Sequence, residues 1–151
     1  MENNACVSCD PGFENASGDD ASKADTSCDE IFCALDERVD SNRCVACDAG
    51  TTRPAGDRAA GADTACTPIA CAVDERVQSN ACVPCPAGST NGSGDDASGS
   101  NTSCDPTLCG VDERVQSNAC VPCPDGEGNE AGDNATGSNT SCVVLAQEEF
   151  D

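Results

Sequence analysis

Residues 71–108 read CAVDERVQSNACVPCPAGSTNGSGDDASGSNTSCDPTL. Cys71, Cys82, Cys85 and Cys104 stand in this stretch, and its only bulky apolar side chains are Val73, Val77, Val83 and Leu108. Burying so few side chains falls far short of the conformational entropy of ordering the segment, so a hydrophobic interior alone cannot fold it. Disulfides are the natural supplement. Each restricts the unfolded chain and typically stabilises by about 2–4 kcal/mol.

The same cysteines recur along the chain with a period of 38. Cys6, Cys44, Cys82 and Cys120 form one register and Cys9, Cys47, Cys85 and Cys123 a second. Cys28, Cys66, Cys104 and Cys142 form a third, and Cys33, Cys71 and Cys109 a fourth. The unit is C-x2-C-x18-C-x4-C-x10, present three times in full and once cut short. Val7/45/83/121, Gly12/50/88/126, Gly18/56/94/132, Asp19/57/95/133 and Ala21/59/97/135 keep the same step. Periodicity this strict marks a tandem array, divided as repeats 1–43, 44–81 and 82–119, a partial repeat 120–142 and a divergent tail 143–151.

Within a repeat, Asp36–Val39 reads as a strand, Asp40–Arg43 as a turn with Asn42 suited to a left-handed conformation, and Cys44–Cys47 as the returning strand. The same reading holds for 74–85 and 112–123. The 18-residue stretches are rich in Gly, Ser, Asp and Asn and read as tethered loops, with a turn signal at Asn91-Gly92. The expected fold is small and disulfide-rich: an elongated tandem array of short β-hairpin and turn modules with a minimal hydrophobic core and no helix of useful length.

Composition narrows the function. Only 20 of the 151 residues are Ile, Leu, Val, Phe or Met, and Trp, Tyr and His are absent. Without its 15 cysteines such a chain would be classed as disordered. Seven basic residues against 28 acidic ones give a formal charge of −21, which removes any footing for nucleic-acid binding or for docking on an anionic membrane. No apolar run is long enough for membrane insertion. Met1 to Cys9 has no hydrophobic signal core, so a secretion signal is expected outside this sequence or already removed. Lacking histidine, the chain has no ready general base at neutral pH, and an enzyme is not expected.

The odd cysteine count leaves several pairings open. Joining each cysteine to its next neighbour outside the C-x2-C gives Cys9–Cys28, Cys33–Cys44, Cys47–Cys66, Cys71–Cys82, Cys85–Cys104, Cys109–Cys120 and Cys123–Cys142, with Cys6 left over. An interlocked scheme (Cys44–Cys66 with Cys47–Cys71, and so on) strands Cys123, because its partner position holds Gln147. A third scheme, Cys28–Cys44 with Cys33–Cys47, strands three cysteines. The first is preferred: Ala34–Arg43 closes naturally as a clasped hairpin, and the remaining cysteine is terminal.

Cys82-Val-Pro-Cys85, continuing through Cys85-Pro-Ala-Gly-Ser-Thr to Asn101-Thr-Ser-Cys104, resembles the C-x2-C-P-x-G-[ST] repeats of extracellular cysteine-rich proteins. These include ephrin-receptor-like and tumour-necrosis-factor-receptor-like modules and tandem arrays in surface proteins of protists and algae. The resemblance spans Cys6 to Cys142 and implies disulfide-held modules in an extracellular rod. Three departures stand out. Thr90 is followed by Asn91 where those modules carry an aromatic residue, the loops are more acidic, and the repeats are nearly identical. Near-identity suits a structural spacer or polymer better than a receptor with one tailored face.

Four other chemistries match parts of the pattern. C-x2-C-x18-C-x4-C can be read as a four-thiolate zinc site of an intracellular adaptor, but its x4 spacing is wide for a zinc ribbon and the fourth copy lacks a ligand. Thioredoxin-like chemistry at the C-x2-C pairs is disfavoured by four tandem copies outside any βαβ context. Asp19, Asp57, Asp95 and Asp133, each followed by Asp25, Asp63, Asn101 or Asn139, are candidate calcium ligands. The competing reading is that these side chains cap turns. Asn15, Asn91, Asn101, Asn134 and Asn139 begin N-x-[ST] sequons, the acceptor pattern for glycosylation.

Arg38, Arg76 and Arg114 lie among carboxylates and are expected to form ion pairs. Val143–Ala146 is the most apolar run and is expected to cap the array or touch a neighbouring molecule. Together these readings point to an extracellular or cell-surface structural repeat protein, a rod, stalk or filament component with no obligatory cofactor. Head-to-tail self-association or other surface and matrix proteins supply its expected partners. A ligand-binding ectodomain is the alternative. Its only obvious distinctive patch is Arg43, Arg53 and Arg58.

Overall fold

The protein is described by a computed structural model covering residues 5–145. Among these residues there is no helix, and every strand is short. Three antiparallel hairpins recur at the repeat period: β3 (Glu37–Asp40) with β4 (Arg43–Ala46), β7 (Glu75–Gln78) with β8 (Ala81–Pro84), and β11 (Glu113–Gln116) with β12 (Ala119–Pro122). Two-residue ladders alternate with them. These pair β1 (Phe13–Glu14) with β2 (Asp29–Glu30) and β5 (Thr51–Thr52) with β6 (Thr67–Pro68). Further along, β9 (Ser89–Thr90) pairs with β10 (Asp105–Pro106) and β13 (Glu127–Gly128) with β14 (Val143–Val144).

Seven disulfides close the chain: Cys9–Cys28, Cys33–Cys44, Cys47–Cys66, Cys71–Cys82, Cys85–Cys104, Cys109–Cys120 and Cys123–Cys142. Of the pairings that the spacing allows, this is the neighbour-to-neighbour one. Cys6 is exposed and takes part in none of the seven. In the three C-x2-C pairs from Cys44 onward, the two cysteines point their bonds in opposite directions along the chain. Cys82 reaches back to Cys71 across the hairpin, and Cys85 reaches forward to Cys104 across the loop.

The hairpin turns take the form that two-residue antiparallel connections favour. Ser79 and Asn80 have φ of +52° and +59°, and the other two turns match them within a few degrees. Left-handed conformation at both central residues matches the right-handed twist of the strands. Asparagine adopts it readily, whereas serine needs help. That help comes from the adjoining loop: the Ser79 amide donates to Asn101 Oδ1 at 2.9 Å, and Asn80 Nδ2 donates to the Ala97 carbonyl at 3.1 Å.

The interior of a module is very small. Val77 and Ala97 are fully buried beside Cys71, with Cys82 packed against them. Val39, Ala59 and Cys33 are buried to the same extent, as are Val115, Ala135 and Cys109. Each set combines the hairpin and the loop after it, so the packed module runs from Cys33 to Cys66, and likewise from 71 to 104 and 109 to 142. A repeat boundary drawn at 43/44 falls inside strand β4 of hairpin β3–β4. The turn signal at Asn91-Gly92 does not produce a turn. The loop turns instead at Ala97–Ser98, closed by the Gly99 amide on the Asp96 carbonyl at 2.9 Å, because the Asn91 side chain is engaged elsewhere.

The chain forms two compact units, Met1–Ile69 and Ala70–Asp151. In the first, the half-repeat formed by residues 5–30 is a loop with ladder β1–β2 and no hairpin among the described residues. It meets the following module through Ile31, whose amide donates to the Gly12 carbonyl while its carbonyl accepts from Ala59. In the second, Thr107 makes the same two bonds to Gly88 and Ala135. A Cβ on Gly12 would lie 2.4 Å from the Ala60 amide, and one on Gly88 would lie 2.4 Å from the Ala135 carbonyl. Successive repeats approach too closely there for any side chain, and the positive φ of both glycines suits that residue.

Two substitutions separate interior from surface. Val77→Ala should lower unfolding free energy by about 1–3 kcal/mol, the range for truncating a buried aliphatic side chain. Val73→Ala, at a site 64% exposed, should change it by less than about 0.5 kcal/mol. Denaturant unfolding of the oxidised protein reads both, and equal effects would contradict a valine-plugged core.

Candidate functional site

The carboxylates singled out as calcium candidates each form the centre of a hydrogen-bonded hub. Asp95 Oδ2 accepts from Asn91 Nδ2 at 2.8 Å and from the Thr102 hydroxyl. Asp133 Oδ2 accepts from Asn129 Nδ2 at 2.7 Å and from Thr140. Asp19 Oδ2 accepts from Asn15 Nδ2 and Thr26 Oγ1, both at 2.6 Å. In the second repeat Arg53 replaces the asparagine and bonds both oxygens of Asp57, while Thr64 donates at 2.9 Å.

The hubs of Asp57, Asp95 and Asp133 are each wired to a buried valine. Thr102 Oγ1 accepts the Val77 amide at 2.9 Å, and the Thr102 amide donates to the Val77 carbonyl at 3.0 Å. Thr64 serves Val39 and Thr140 serves Val115 in the same way. Asn91 Nδ2 also donates to the Glu75 carbonyl at 2.8 Å, and Asn129 Nδ2 to that of Glu113 at 2.9 Å. The aspartate therefore orients the threonine and asparagine that satisfy the backbone of the hairpin strand. Hydrogen bonds to the charged form hold the Asp95 carboxyl below its ordinary value of 3.8, Thr102 contributing most and Asn91 next. Arg53 and then Thr64 do the same for Asp57.

The Asx positions that follow cap turns. Asp63, Asn101 and Asn139 each use Oδ1 to accept the amide of Ser41, Ser79 or Ser117, at 2.8–2.9 Å. Asn134 Oδ1 accepts from the Thr136 amide at 2.9 Å and its hydroxyl at 2.7 Å, as Asp20 and Asp96 do for Ser22 and Ser98. A third carboxylate register caps the hairpin entry: Glu37, Glu75 and Glu113 accept the amides of Ala34, Ala72 and Gly110. These glutamates also lie within 4.8 Å of the sulfurs of Cys33–Cys44, Cys71–Cys82 and Cys109–Cys120. Those sulfurs are bonded to one another, and a disulfide sulfur is not a thiolate ligand. The four cysteines of one C-x2-C-x18-C-x4-C unit end in three different disulfides.

The arginines divide. Arg38 pairs with Asp40 at 3.0 Å. Arg76 and Arg114 form no such pair; they donate to Gln78 and Gln116 at 3.1 and 3.3 Å, because glutamine stands where the first hairpin has Asp40. Arg53 is held by Asp57 and by the Ala65 carbonyl, and the exposed Arg58 by Glu30 at 2.6 Å, which leaves Arg43 as the member of the patch with no ion pair among the described residues. Val143 and Val144 pair with β13 while staying 67% and 77% exposed, and residues 146–151 lie outside the described structure. The half-repeat carries an open cleft of about 1080 Å³ lined by Val7, Cys9, Phe13, Asn15, Asp19 and Thr26 among others. Thr26 is the register equivalent of the Thr64 that holds Val39.

Sequence reasoning overlooked the threonine register and the asparagines at 91 and 129 as hub members. The signal was available, since Thr26, Thr64, Thr102 and Thr140 recur at 38-residue steps in all four copies. Comparison with protein-family models, curated proteins and solved structures gave no match.

The lowered carboxyls predict acid sensitivity. Asp57 and Asp95 titrate lower in the folded than in the unfolded chain, so their contribution is complete above about pH 4 and is lost as pH falls through the folded values. Thermal melts from about pH 6 down to about pH 2 should show a falling midpoint, with a shallower fall for Asp95→Asn. An identical slope in that variant would remove the hub from the explanation. Because each hub offers one carboxylate already bonded to donors, millimolar calcium should raise the midpoint no more than matched ionic strength does.

Proposed function

We propose that this chain is an extracellular structural repeat protein, a rod, stalk or surface-coat component whose form is maintained by disulfides. The observation that carries the reading is the clasped module itself. Six of the seven disulfides, two to a module, enclose three interiors of one valine, one alanine and one half-cystine apiece. Such cross-linking suits an oxidising extracellular or secreted environment, where disulfides form and persist. No helix among the described residues is long and apolar enough to cross a membrane.

The near-identity of the modules supports a repetitive mechanical role over a single recognition face. The ligand-binding alternative drew on Arg43, Arg53 and Arg58, and two of these are committed to internal ion pairs. The resemblance to ephrin-receptor-like and tumour-necrosis-factor-receptor-like repeats supports an extracellular setting and carries no ligand with it. Dense negative charge favours solvation and resists lateral association. The open cleft beside Phe13 and the exposed β14 valines suit self-association better than the acidic loops do.

Small-angle scattering and sedimentation of the full chain, with and without reductant, test this reading. The oxidised protein should scatter as an elongated particle, resist protease and contain no zinc, and reductant should abolish both shape and resistance. A compact sphere, or a shape indifferent to reductant, would overturn it.

A further inference from the structure

The sequons fall into two structural classes. At Asn91 both protons of Nδ2 are used, one on the Glu75 carbonyl and one on Asp95. Asn15 holds the same register, and its Nδ2 donates to Asp19 at 2.6 Å and to Thr26 at 3.5 Å. At Asn101 and Asn139 the fold uses Oδ1 alone, as the acceptor for the Ser79 and Ser117 amides. At Asn134 it uses Oδ1 alone for Thr136. The chain supplies its own control: Asp63 fills the 101/139 register with an oxygen in each position and makes the same bond to Ser41. That register needs one acceptor oxygen and makes no demand on the other atom. All three of these asparagines are exposed, as are the hydroxyl residues Ser103, Thr136 and Ser141 that complete their sequons.

We propose that Asn101, Asn134 and Asn139 are N-glycosylated and that Asn15 and Asn91 are not, because the fold leaves Nδ2 uncommitted at the first three and engages it at the other two. This rests on the extracellular reading above. In the transfer, Nδ2 forms a bond to C1 of a diphosphate-activated oligosaccharide. The bond from C1 to the carrier diphosphate breaks, the diphosphate departs as the leaving group, and Nδ2 loses one of its two protons. Oδ1 remains a carbonyl acceptor, so the bond that fixes the left-handed Ser79 or Ser117 survives the modification. At Asn91 the same transfer removes a donor and places a sugar in the part-buried space between Glu75 and Asp95. Molecules modified there lose the hub that holds Val77.

The test is site-resolved occupancy in the full chain, secreted from a eukaryotic host behind a cleavable leader. Amidase release of glycans in heavy-oxygen water marks each occupied asparagine for mass spectrometry. Marks at 101, 134 and 139 with 15 and 91 unmarked are expected in the secreted, disulfide-bonded protein. A glycan on Asn15 or Asn91 in that material overturns the proposal, and so does bare asparagine at all three open sites. Two variants test the reasoning behind it. Asn101→Asp with Asn139→Asp should lose those glycans and still be secreted in the wild-type amount, following the Asp63 precedent. Asn91→Asp sets a second carboxylate against Asp95 and should cut secretion several-fold; wild-type yield would overturn the hub argument. Particle shape and its response to reductant do not depend on glycans, so failure here and failure of the rod reading are told apart.

Discussion

Each module must hold more than thirty residues of mostly irregular backbone around an interior of one valine, one alanine and one half-cystine. An enclosure that small cannot offset ordering entropy, and the cross-links set the rest of the structure. The C-x2-C pair is the key device. Its first cysteine clasps the hairpin behind it and its second tethers the loop ahead, so one short strand is riveted to both. The hairpin then delivers Val77, and the loop delivers Ala97 to cover it.

The strongly acidic composition takes on a structural meaning beside its colloidal one. A loop with little regular secondary structure exposes amide donors that no ladder satisfies. Carboxylates supply many of the acceptors. Glu75 takes the amide at the hairpin entry, Asp95 organises the side chains that satisfy the valine strand, and Asp96 closes its own turn. Part of the −21 charge is therefore a set of recurring acceptors, one set per module.

Variation among the copies follows how many atoms a position uses. Where one oxygen suffices, aspartate and asparagine interchange, as at 63, 101 and 139. Where both amide protons are engaged, asparagine is kept at 91 and 129, and its replacement at 53 is an arginine that offers several donors. Glutamine for aspartate at 78 and 116 costs the neighbouring arginine its ion pair and leaves the hairpin in place, since that pair lies at the surface and such pairs contribute little.

The 38-residue period, the need for disulfides, the hairpin at Asp-Glu-Arg-Val and the lack of helix were all legible in the amino-acid order, because they depend on spacing, composition and local turn preference. The phase of the packed module was not, since Val77 and Ala97 are 20 residues apart and meet only after the hairpin folds onto the loop. The same limit applied to the aspartates. Asp95 reads locally as a loop carboxylate open to a cation, and its partners Thr102 and Asn91 become donors only when the loop closes on itself. Tertiary structure also decided which asparagines keep an open amide nitrogen. Every sequon fits the same N-x-[ST] pattern, and the difference lies in which of its atoms the surrounding fold already occupies.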